Sequence, residues 1–104
     1  MARKSPINKR LKEARLAVGI SQKQLGIAAG IDEFVASAMM NQYETGKHIP
    51  DFDVVTKIAE TLNLPSSYFY TTVDDLAEII KIYGQVTKKD QRKLLGLARQ
   101  LLKA

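Results

Sequence analysis

A chain of 104 residues, 45% hydrophobic and 26% charged, is long enough for one packed core and too short for two. The absence of cysteine excludes a disulfide framework and thiolate metal sites, which accords with a reducing cytoplasm, and no apolar run approaches the length that spans a bilayer. The net charge of +5 favours a polyanionic partner and is unevenly spread: residues 1–50 hold eight Lys/Arg against four Asp/Glu, residues 51–84 two against six, and residues 85–104 six against one.

The opening MARKSPINKRLKEARL is basic but lacks the apolar segment of a secretory signal. Arg3 and Lys4 make a short basic arm within reach of phosphate. Ser5-Pro6 reads as a cap with proline at the first helical position, and Ile7, Leu11, Ala14 and Val18 trace an apolar row that ends at Gly19. Arg15 lies beside that row and is expected to be partly buried.

A second helix starts near Gln22, because Ser21 and Gln24 form a capping-box pair. Leu25, Ala28 and Ala29 give it an apolar face, and Gly26 is small enough to let another helix cross closely. Gly30 supplies the left-handed residue of a sharp corner, after which Ile31 turns back to the core and Asp32 or Ser37 caps a third helix. Met39, Met40 and Tyr43 face inward, leaving Ser37, Ala38, Asn41 and Gln42 on an outer face closed by Thr45-Gly46. A small, amide-bearing, uncharged face suits a DNA major groove: Asn and Gln bond an adenine edge bidentately, and Ala or Ser lies against a thymine methyl. Gln22 and, more weakly, Lys23 stand where a helix start holds a phosphate oxygen.

In order, Arg15, Gly19-Ile20-Ser21-Gln22, Leu25, Gly30, Tyr43-Glu44, Gly46-Lys47, Pro50 and the run Ile58 to Leu62 resemble the lambda-repressor-like helix-turn-helix family of Cro-type and phage-repressor regulators. The resemblance covers residues from about 7 to 70. It implies an ion pair of Arg15 with Glu44, tying the first helix to the third, and a backbone-contacting role for Lys47. The chain departs from the family pattern in one respect: thirteen residues separate Gly30 from Tyr43, where the family has about nine, so roughly one helical turn is added. Asp32 and Glu33 fall in the insertion and would be repelled by phosphate. Residues 32–36 are therefore expected to form a lengthened or separate turn held off the DNA by packing of Phe34 and Val35, with the reading residues starting near Ser37. This long-turn pattern is similar to controller proteins of restriction-modification systems and some prophage regulators.

His48, the only histidine, stands in a loop with no carboxylate constellation and is given no chemical role. Asp51 caps a fourth helix built on Val54, Val55, Ile58, Ala59 and Leu62, and Asn63 takes the left-handed position after it. After Leu64-Pro65, Ser66 caps a short fifth helix whose Tyr68, Phe69 and Tyr70 close the core or join a dimer contact. Thr72 to Asp75 starts a further helix that Gly84 stops, and Thr87 to Asp90 starts another. Their apolar residues, Leu76, Ile79, Ile80 and Tyr83 with Leu94, Leu97 and Leu101, exceed what a five-helix core hides and mark a dimerisation surface, with an intrachain hairpin as the alternative.

The expectation is an all-α chain: a five-helix DNA-binding domain over residues 1–70 and a two-helix extension over 71–104. The sequence holds no glycine-rich phosphate loop, metal-ligand cluster or nucleophile context, so neither enzyme activity nor a cofactor, metal or small-molecule ligand is expected. The expected partners are a double-stranded DNA operator and a second copy of the chain. An antitoxin that binds a toxin and its own operator is the alternative.

Overall fold

The computed structural model describes residues 4–103. Among them are six α-helices and one short 3-10 helix: α1 (Ile7–Val18), α2 (Gln22–Ala28), α3 (Glu33–Thr45), α4 (Phe52–Leu62), the 3-10 helix (Ser66–Tyr70), α5 (Asp74–Gln85) and α6 (Lys88–Lys103). The all-α expectation holds, with the fifth helical piece wound as a 3-10 turn.

Local chemistry sets most of the boundaries. Ser21 and Gln24 form the reciprocal capping box at the start of α2. At its end Gly30, with φ of 89°, donates to the Ile27 carbonyl while Ile31 donates to that of Gly26, the paired bonds that close a helix through a left-handed residue. Asn63 does the same after α4 with φ of 55°. Asp51 accepts the Val54 N–H at 2.9 Å, and Thr87 the Asp90 N–H at 3.2 Å, so these two expected caps are made, whereas the expected Ser66 cap is not, the 3-10 helix starting from Pro65 without a side-chain cap.

Two sequence expectations fail at helix α3. It runs unbroken from Glu33 to Thr45, because Asp32 accepts the Phe34 N–H at 2.9 Å and neither glycine nor proline interrupts the helix before its end. The added turn therefore lengthens the helix, with Glu33 favourably placed at its positive end. Phe34 and Val35 do not pack: they are 90% and 46% exposed.

Leu11, Leu25, Ala36, Met40, Val55, Ile58 and Phe69 fill the centre of the core with almost no exposure, and Tyr68 meets Phe69 edge-on at 5.3 Å between ring centroids. Leu25 and Ala29 carry the inner face of α2, whereas Ala28 is exposed; Val18, expected in the row of α1, is exposed as well. At Gly26 an added Cβ would lie 2.9 Å from the Ala36 Cβ and 3.1 Å from the Ala36 carbonyl oxygen, so its lack of a side chain lets α2 and α3 cross at close range.

The core continues past residue 70. Ala77 is buried, Ile80 packs half-buried beside it, and Gly84 sits inside α5 against the Pro65 ring, which an added Cβ would approach to 2.5 Å. Gly84 thus permits a helix contact where the sequence reads as a stop, and α5 ends one residue later. Arg10, 4% exposed, fastens this junction: its Nε donates to the Thr71 carbonyl at 2.9 Å, its NH2 stands 3.0 Å from Asp74, and its guanidinium lies 5.8 Å from the centroid of the Tyr68 ring. By contrast, no described residue of α6 is buried.

Candidate nucleic-acid interface

The burial pattern of α3 divides it lengthwise. Ala36, Met40, Tyr43 and Glu44 are buried, Met39 is half-buried, and Phe34, Ser37, Ala38, Asn41 and Thr45 are exposed. At 3.6 residues per turn these five fall on one arc with Phe34, Asn41 and Thr45 at its middle, and the exposed Glu33 and Val35 flank it on either side. Of the expected base readers, Ser37, Ala38 and Asn41 are exposed on this face, while Gln42 lies at its edge and is partly covered.

The face is held from beneath. Glu44, 7% exposed, receives the Arg15 Nε at 2.6 Å and the Arg15 NH2 at 3.0 Å, while the Arg15 NH1 donates to the Ile20 carbonyl at 2.9 Å. This bidentate pair joins α1, the α1–α2 turn and the end of α3, the link implied by the resemblance. Its hydrogen bond with Glu44 holds the Arg15 guanidinium above its ordinary pKa, against the opposing effect of burial. Burial, with the Asp51 charge adding to it, likewise pushes the Tyr43 phenol up and keeps it neutral.

Gln22 has a different place from the one expected. Its Nε2 donates to the Glu44 Oε1 at 3.2 Å and to the Asn41 Oδ1 at 3.4 Å, so both amide protons are used inside the protein and none is left for phosphate. The amide instead orients Asn41, whose own NH2 group stays available on the outer face.

Cationic side chains border this face. Lys23 on α2 and Lys47 in the loop after α3 are exposed, and Lys4 lines a groove with Asn8, Thr45, Gly46 and His48 between the start of α1 and that loop. Arg3 lies outside the described residues. Among the described residues no group of histidines and carboxylates is placed to hold a metal ion, and no helix is long and apolar enough to cross a membrane.

A second exposed surface lies on the extension. Leu76, Ile79 and Tyr83 on α5 and Leu97 and Leu101 on α6 are about half or more exposed, and Leu94 is half-buried at the mouth of a groove between the two helices with Ile82 and Val86. Ile80, expected among the contact residues, faces the chain's own core instead. The buried Arg10 is a residue that the sequence pattern marks only faintly. Its signal is a charged residue three positions after Ile7 and four before Ala14, on a row otherwise apolar.

Residues 11–69 match the helix-turn-helix family model, over half of the chain. A solved structure described as the crystal structure of transcriptional regulator BswR is similar along nearly the whole length, with a TM-score of 0.86, 42% identity, and coverage of 93% of this chain and 96% of that one. No curated protein matches the sequence.

Proposed function

The chain belongs to the Cro/C1-type helix-turn-helix family of DNA-binding regulators, and from that premise we propose that it binds an operator as a homodimer, one α3 per subunit entering successive major grooves. The observation that carries this reading is the outward arc of α3. It is rigidly backed by the Arg15–Glu44 pair and carries Asn41 in an orientation fixed by Gln22.

Asn41 is the adenine reader, with Ser37 and Ala38 lying against neighbouring base edges and Gln42 supporting the flank. Lys23, Lys47 and Lys4 grip the sugar-phosphate chain, together with Arg3 of the arm. Residues 1–70 form the reading unit and residues 71–104 the dimerising extension, with α5 serving both through its two faces. Leu76, Ile79, Tyr83, Leu94, Leu97 and Leu101 meet their counterparts in the second subunit. The BswR structure, named as a transcriptional regulator, supports a regulatory outcome of binding here. In a dimer of this kind the half-sites lie about 10 bp apart, centre to centre.

The test is selection of duplexes from a random pool, then binding titrations on the enriched sequences. Asn41→Ala is expected to relax preference at one base pair per half-site by about 1–3 kcal/mol. Lys47→Ala is expected to weaken every duplex alike and lower the salt slope by about one unit per subunit. Exchanged outcomes would assign reader and anchor the other way round, and a pool with no enriched sequence would refute operator recognition.

A further inference from the structure

Phe34 is the most exposed large apolar side chain among the described residues, at 90%, and it stands at the first turn of α3. The turn it occupies is continuous with the rest of the helix and capped by Asp32, so its direction is fixed by the same backbone that aims Asn41. Phe34, Ala38 and Asn41 are separated by four and three residues, which stacks them along one line of the helix. A helix lying in the groove with Asn41 on a base edge therefore brings the Phe34 ring to the groove floor about two turns, or roughly 10 Å, farther along its axis. A phenyl ring has no hydrogen bond to offer there. What it matches is the 5-methyl group of thymine, the apolar feature of the major-groove edge.

We infer that Phe34 is a specificity-determining residue that covers thymine methyl groups at the end of each half-site, making the added turn of α3 part of the reading surface. The inference rests on the operator-binding reading above. It also accounts for a ring left in water although Ile31, three residues earlier, reaches the core.

Duplexes enriched by the wild-type protein are remade with each thymine replaced in turn by deoxyuridine, which lacks only the methyl group. Wild-type protein is expected to lose about fourfold in affinity at one or two positions per half-site, the worth of one methyl group removed from water. Phe34→Ala should bind the thymine and uracil duplexes equally at those positions while responding normally to changes opposite Asn41, and Phe34→Leu should keep part of the difference. Unchanged uracil sensitivity in Phe34→Ala overturns the inference, as does a wild type indifferent to every methyl group. A Phe34→Ala protein that becomes monomeric also overturns it, since the ring is then a subunit contact. Failure of the wild type to enrich any sequence refutes the underlying reading; enrichment without coupling to Phe34 refutes this inference alone.

Discussion

Glu44 links the buried core to the proposed reading face. Its carboxylate is enclosed, accepts from Arg15 and Gln22, and through Gln22 reaches Asn41 on the outer face. Removing the arginine leaves a buried charge with only an amide partner, so Arg15→Ala is expected to lower unfolding free energy by about 3–5 kcal/mol, measured by denaturant titration. Combining it with Glu44→Gln should recover part of that loss, because the unpaired charge is gone. Gln22→Ala, by contrast, should leave stability within about 1 kcal/mol while weakening discrimination at the Asn41 base pair, since it loosens the reader without uncovering the core. The Arg15–Glu44 link was legible in the sequence through the family pattern. The Gln22 contact was not, because the direction of an amide across two helices depends on where Gly26 lets them cross.

Helices are set here by two kinds of glycine, and the sequence distinguishes them poorly. Gly30 and Gly46 hold φ of 89° and 81°, where a side chain is strained, and their role as stops is a matter of local chemistry. Gly26 and Gly84 are ordinary helical residues whose missing side chain admits a neighbour. Gly26 was readable because it lies in a short helix directly after the apolar Leu25. Gly84 was not, since its neighbour Pro65 is nineteen residues away and a glycine near a helix end looks like a terminator. Gly84→Ala is expected to destabilise by about 1–3 kcal/mol despite the better helix former, because the proline ring cannot yield as a flexible side chain would; thermal unfolding would show it. The long α3 escaped the sequence for another reason. In the sequence Asp32 and Glu33 read as charges facing phosphate, whereas at a helix start they act first as cap and dipole partner.

At the scale of the molecule, the acidic start of α5 closes onto the basic side of α1. Lys9 and Arg10 together hold Asp74 below the usual carboxylate range. A depressed carboxylate stabilises the fold above its unfolded pKa near 3.8 and loses that contribution as pH falls through the lower folded value. Asp74→Asn should therefore flatten the acid limb of the stability profile below about pH 4 and leave the neutral region nearly level. Proline, glycine and helix periodicity made the order of elements legible over the whole chain, but Arg10 hid the attachment of α5 by satisfying its charge with the Thr71 carbonyl and an acid sixty-four residues away. The exposed leucines of α6 carry a prediction at this scale too. Leu97→Glu with Leu101→Glu should turn the proposed dimer into monomers by sedimentation and cost operator affinity steeply, while α1 to α5 keep their unfolding midpoint.

Between the fastened α5 and the unburied α6 lie only Val86 and Thr87, the first extended and the second capping the final helix. In the proposed pair, where Leu76, Ile79 and Tyr83 of α5 share one surface with Leu94, Leu97 and Leu101 of α6, the backbone angles of Val86 and Thr87 set how the two helices present that surface together. Exchange at Val86 or Thr87 is thus expected to alter how the proposed pair closes while every side chain proposed to read bases stays as it is.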